Sequence, residues 1–383
     1  MRPARYFSII QLSNARVFSS DNRIYLTKEQ TQMTKGMAIL SMLVLHLFCR
    51  KGGDVFGTPI FWLNTDTPFV YILGFLAEIC VPLYSMCSGY AHFMLGNAGR
   101  LTLQANIRRI IRFLLNYWII VIVFSIVGLI FKTPDIPVNF SEFIKNLFLL
   151  SNSYNGAWWY AATYVLLCLC SGLIYKLVRK MNCFLILCIA VLQYGIMYIC
   201  DTMGLIPVTG NFVVDFCIRQ FDNFFGDVFF CYIIGMIFVK IDIFSRIRYL
   251  EQRIWKDFLV RKFCFRLLLF LSLSAVIYML EKAILMPFYA AFIFSLFNSG
   301  RINEKVQKCF LFLGKHSTNI WLIHMFFYLC MFPGLVFSVK YPLFILLYLL
   351  GICIVISYAI NFIYDKLKKL RQFQALCKQK KLI

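Results

Sequence analysis

The chain has 383 residues, 61% of them hydrophobic and 15% charged, with a net charge of +22; soluble proteins carry about 25% charged residues. Apolar runs near 20 residues recur from end to end, and each is long enough to cross a hydrocarbon core about 30 Å thick. This argues against a soluble globular protein, and the placement of the basic residues argues against nucleic acid as the reason for the charge.

Residues 1–32 hold Arg2, Arg5, Arg16, Arg23 and Lys28 and no apolar core of signal-peptide length. They read as a loose cytoplasmic N-terminal tail ahead of an uncleaved first span. Thr27-Lys28-Glu29-Gln30 matches a capping box, so the first helix is expected to begin near Lys28. Ten spans follow near 33–51, 69–95, 110–131, 157–178, 183–202, 219–240, 264–281, 282–299, 311–333 and 342–364, with boundaries good to about 2–4 residues. The expected fold is therefore all-α, a polytopic membrane helix bundle over 33–364 with a basic cytoplasmic C-terminal tail over 365–383. Glu281-Lys282 interrupts one long apolar run and reads as a tight external hairpin; a single broken helix there would move the C-terminus outside. With both termini inside, 32 of the 39 Lys and Arg residues fall on the cytoplasmic side and 7 outside. That is the positive-inside bias, and it sets the basic excess against anionic headgroups. The 15 cysteines are scattered, without CxxC or zinc-type spacing, so neither disulfides nor a metal are expected.

Ionisable groups inside spans are costly and face a cavity or a partner. His46 lies eleven residues beyond Lys35, almost three turns and about 16 Å up one helix face. Glu78, Asp227 and His324 reach similar depth on three other spans, which suggests one polar chamber. Each also has a plainer reading: a histidine bonded to a neighbouring carbonyl, a carboxylate serving as a structural partner, or a short span with a wet end. The polar outer half of "RQFDNFFGDVFF", with Arg219, Gln220, Asp222 and Asn223, reads either as a funnel for a polar substrate or as that wet end. Trp158 and Trp159 open the fourth span, where aromatic belts are usual. His92 and His316 are expected to be solvated near the cytoplasmic surface. In "NIRRIIRF", Arg108, Arg109 and Arg112 read either as a topology anchor or as a clamp whose guanidinium forks suit phosphate oxygens.

Together these stretches resemble the membrane acyltransferase-three family, bacterial integral-membrane O-acyltransferases of surface glycans and lipids. "KGMAILSMLVLH" places Lys35 and His46 at the family's Arg-to-His spacing, with Lys for Arg, which keeps the charge and loses the fork. "VPLYSMCSGY", the pair Arg109 and Arg112, "GAWWYAATYVLL" and "GKHSTNIWLIH", ending at His324, are similar to the later motifs in order. The resemblance implies transfer of an acyl group, usually acetyl from cytoplasmic acetyl-CoA, to a hydroxyl of a polysaccharide or glycolipid, with no bound cofactor. His46 is then the general base or a transient acyl carrier, and Lys35, Arg108, Arg109 and Arg112 meet the donor phosphates. Glu78 is expected to orient the imidazole in the manner of a triad's third member, and Trp158, Trp159, Asp227 and His324 to line the acceptor chamber. The implied location is the bacterial cytoplasmic membrane, with glycan-synthesis proteins or a second copy as further partners. The competing class is a transporter or flippase for a glycan intermediate, or a non-catalytic member of a glycan-synthesis complex. Against transport, the sequence displays no inverted repeat and no paired helices broken by Gly or Pro in matching halves.

Overall fold

The computed structural model describes residues 23–52, 55–57, 61–63, 67–255 and 259–380. Arg2, Arg5 and Arg16, and the last three residues, lie outside them. The fold is all-α. Helix α1 runs Lys28–Phe48, with both hydrogen bonds of the Thr27–Gln30 capping box formed. The segment just before it is not loose. Leu26 N–H donates to the Tyr90 hydroxyl at 2.9 Å and Ile24 N–H to Ser245 Oγ at 2.8 Å.

The second span is broken. Helix α2, Val70–Leu76, passes through a 3-10 turn, Ala77–Ile79, into α3, Cys80–Asn97. Pro82 accounts for this: it has no N–H for the Glu78 carbonyl, and its ring crowds that oxygen. Then come α4 (Leu103–Ile130), a short surface helix α5 (Phe140–Leu147), α6 (Trp159–Lys180) and α7 (Cys183–Thr202). The sixth span breaks at Gly226 into α8, Phe212–Phe225, and α9, Asp227–Lys240. The amphipathic α10, Ile243–Trp255, leads to α11, Leu259–Leu280, and α12, Met286–Ser299. Between those two, Glu281 takes a φ of +43°, so the Glu281-Lys282 run is a turn between two helices. Helix α13, Glu304–Met325, continues as a π-turn, Phe326–Cys330. A short α14, Pro333–Phe337, precedes α15, Pro342–Lys380.

Among the described residues, seven helical stretches are long and apolar enough to cross a membrane: Val70–Asn97, Leu103–Ile130, Gly156–Lys180, Cys183–Thr202, Phe212–Lys240, Val260–Leu280 and Pro342–Lys369. The other three expected spans, α1, α12 and α13, fall short on composition or length. Physically, α1 and α13 are the central pair. They pack on each other and on the surrounding helices, so their faces need not be lipid-like.

Two glycine crossings set the core. A methyl group on Gly36 would run into the Phe310 carbonyl, and one on Gly314 into that of Gln32. The two glycines therefore face each other where α1 and α13 cross, with the helices parallel. Gly89 and Gly235 do the same for α3 and α9, against the carbonyls of Tyr232 and Met86. Small residues at such crossings let two backbones approach without loss of packing.

Candidate active site

The parallel register of α1 and α13 carries the site. His46 lies ten residues beyond Gly36, and His324 ten beyond Gly314, so each stands about 15 Å above the crossing. The two rings meet: His46 Nδ1 is 2.6 Å from His324 Nε2. Their planes differ by 4° and their centroids are 4.9 Å apart. A 2.6 Å contact gives that separation only if both nitrogens lie on the line between centroids, so the rings lie edge to edge, not face to face. His324 Nδ1 is 2.8 Å from the Trp321 carbonyl, which can only accept. The tautomers follow. His324 Nδ1–H donates to the carbonyl, its Nε2 accepts from His46 Nδ1–H, and His46 Nε2 keeps a free lone pair. His324 is fully buried and His46 half-buried, so the outer ring of the pair is the accessible one.

The turn before α6 holds this pair in place. Trp158 Nε1–H and Asn155 Nδ2–H both donate to the Leu322 carbonyl at 3.0 Å, and Trp321 Nε1–H donates to that of Ala157 at 2.9 Å. The π-turn after His324 loosens the helix where Leu322 would otherwise bond within it. Above the pair, Tyr328 stacks on both imidazoles, and the Arg50 guanidinium lies over Phe337 and donates to the His46 carbonyl at 3.4 Å.

Below the histidines a cleft of about 340 Å³ opens between α1, α3, α4, α6, α13 and α15. Lys35, Arg112 and Lys315 line it with Ser88, Asn116 and Tyr164, and Met42 and Trp321 form its wall one turn below the histidine pair. Asn116 Nδ2 donates to Asn319 Oδ1 at 2.6 Å, and Asn319 donates to Ser357 Oγ at 2.9 Å and Asn361 Oδ1 at 3.0 Å. Of the predicted arginines, only Arg112 lines the cleft. Arg109 turns inward to Asn106 Oδ1, whose amide donates to Ser171, and Arg108 is exposed. The third cleft cation, Lys315, was missed by sequence reasoning. Its signal was "GK" at 314–315, the mirror of "KG" at 35–36 on the partner helix.

A second cavity, of about 300 Å³, lies where the Ala77–Ile79 turn meets α6, α7, the α8–α9 break and the start of α12. It is lined by Glu78, Asp201, Asp222 and Asp227 with Trp159, Tyr194 and Tyr198. Glu78 and Asp227 sit at the two helix breaks, so those breaks open the same chamber, contrary to the expectation of unbroken spans. The group against His46 Nδ1 is His324, not Glu78. Trp158 is a buried clamp rather than a belt residue, while Trp159 does line the chamber. His92 and His316 are not solvated: burial places them against the Tyr232 hydroxyl, at 2.8 Å, and Ser357 Oγ, at 2.9 Å. Among the described residues, no cluster of three His, Cys, Asp or Glu side chains is arranged to hold a metal.

A multi-pass helix bundle that holds a hydrogen-bonded histidine pair one turn above a cationic cleft, and a separate carboxylate-lined chamber, is the frame of a membrane enzyme. Residues 32–361 match the acyltransferase-3 family, described as an acyltransferase domain. The chain belongs to that family, and the protein is a multi-pass membrane acyltransferase. Comparisons with curated proteins and with solved structures found no match.

Proposed function

We propose that the protein moves an acyl group, acetyl in the first instance, from cytoplasmic acyl-CoA to a hydroxyl of a surface polysaccharide or glycolipid, in the bacterial cytoplasmic membrane. The observation that carries this reading is the hydrogen-bond chain from the Trp321 carbonyl through His324 to His46, which leaves His46 Nε2 free to accept a proton. The donor phosphates meet Lys35, Arg112 and Lys315 at the foot of the cleft, with Arg108 and Arg109 adding positive field at its mouth. The thioester arm extends past Met42 to the histidines, and the acceptor reaches His46 from the carboxylate chamber.

His46 Nε2 takes the hydroxyl proton as the oxygen attacks the thioester carbonyl. The new C–O bond forms, the C–S bond breaks, and the imidazolium returns its proton to the departing thiolate. The imidazolium is stabilised by its bond to His324 Nε2, which is charge-assisted in that state. Glu78 and Asp227 accept hydrogen bonds from acceptor hydroxyls, and Trp159 offers a ring face.

Two expected results test the donor half and the orientation. Arg112→Ala and Lys315→Ala should each raise the KM for acyl-CoA roughly ten- to hundredfold, the worth of a lost charge-assisted hydrogen bond of about 1.5–3 kcal/mol. Lys35→Arg should be tolerated. Donor titrations that match wild type would return these cations to the role of topology anchors. For orientation, ten spans with both termini cytoplasmic and Glu281-Lys282 external follow from the distribution of 32 and 7 basic residues. Reporter fusions should show the C-terminus inside; an externally labelled C-terminus would overturn the ten-span arrangement.

A further inference from the structure

We infer that the protein holds its acceptor by a hydrocarbon tail, in a lateral groove between the 148–150 segment, α6 and α8, and that the acceptor is a saccharide linked to a lipid through a phosphate. This rests on the acyl-acceptor reading above and names the class of acceptor. The groove, of about 590 Å³, is walled by apolar side chains such as Phe148, Leu150, Val165 and Phe221. It descends α6 from Ala162 to Cys170, eight residues or about 12 Å, among side chains that face the membrane.

The groove does not end blindly. Gln220 lines it and also lines a narrow neck with Asn152, Arg219, Asn223 and Trp159. Asn223 and Trp159 then line the carboxylate chamber. Three cavities thus run in series, first apolar, then cationic, then rich in hydrogen-bond acceptors with aromatic walls. That order matches tail, phosphate and sugar in one molecule, and a saccharide without a tail leaves the groove unused. Two features of the neck ask for a ligand. Gln220 Oε1 is buried with no hydrogen-bond partner, although a buried acceptor normally has a donor. Arg219 is exposed and has no carboxylate within ion-pair distance among the described residues; the carboxylate whose field it shares is Asp215, one turn back on α8, which leaves its guanidinium donors open to a phosphate at the neck.

The test is photo-crosslinking in nanodiscs with a diazirine-bearing farnesyl-phosphate-linked glucose, mapped by mass spectrometry. Label should concentrate on 148–150, α6 and α8. Cys170→Trp, which fills the lower groove from an exposed position, and Arg219→Ala should each lower that label at least tenfold, while Arg219→Lys retains it. A diazirine-bearing phosphatidylcholine should not favour the groove. His46→Ala protein should label like wild type, so a failure of the acyl-transfer reading would show in turnover without changing this result. Label spread evenly over the lipid-facing helices, label indifferent to both variants in protein that elutes like wild type, or equal labelling of the groove by phosphatidylcholine would overturn the inference.

Discussion

His46→Ala should lower acyl transfer by about 10²–10⁴-fold, the usual contribution of a positioned general base, while the protein still inserts and binds acyl-CoA. The substitution removes the outer ring of the histidine pair, whose tautomer is fixed by its bond to His324 and whose Nε2 is left free. Its packing role is smaller, since the ring is half-buried and the Gly36–Gly314 crossing that holds α1 to α13 lies about 15 Å below it. Donor affinity measured by calorimetry and turnover measured in membrane vesicles separate the two effects. A parallel loss of affinity and turnover would mean that His46 holds the donor rather than taking the proton.

His324→Leu should cost roughly ten- to hundredfold in turnover, from loss of a hydrogen bond of about 1.5–3 kcal/mol to the charged imidazolium. It leaves His46 Nδ1–H without its acceptor and frees the ring to turn or change tautomer. His324→Gln is the telling companion. Its carbonyl can accept from His46 Nδ1–H while its amide donates to the Trp321 carbonyl, so turnover should recover in part. Both variants should keep the wild-type KM for acyl-CoA. If leucine and glutamine lose activity equally and raise KM, His324 acts through packing or donor contact. If transfer survives in His46→Ala and disappears in His324→Leu, the base has been assigned to the wrong ring.

The sequence made the vertical arrangement legible and left the horizontal one hidden. Lys35 and His46 share a face because helix periodicity is local, and the structure keeps Lys35 in the cleft below the histidines. Depth alone placed Glu78 beside His46, but depth carries no azimuth. The azimuth comes from the Gly36–Gly314 crossing, which aligns two helices 278 residues apart in the chain and turns His324 to His46. Glu78 faces instead the chamber opened by its own helix break. That break was visible as Pro82 beside Glu78, yet the surrounding run is long and apolar enough to read as one span; the second break, at Gly226 beside Asp227, is read over in the same way. His92 and His316 lie near the ends of their spans, which suggested water, whereas the bundle is thick enough there to bury both against hydroxyls.

The most direct test of the account is acyl transfer by the purified protein in nanodiscs, where no gradient exists to drive transport. Acetyl-CoA and a panel of glycan and lipid-linked glycan acceptors would be supplied, and free CoA thiol and acylated acceptor measured for wild type and His46→Ala. Acceptor-stimulated CoA release that appears in step with acylated product, and falls by about 10²-fold or more in His46→Ala, is the predicted result. No transfer by the wild-type protein with any acceptor, or transfer that His46→Ala leaves unchanged, would contradict it.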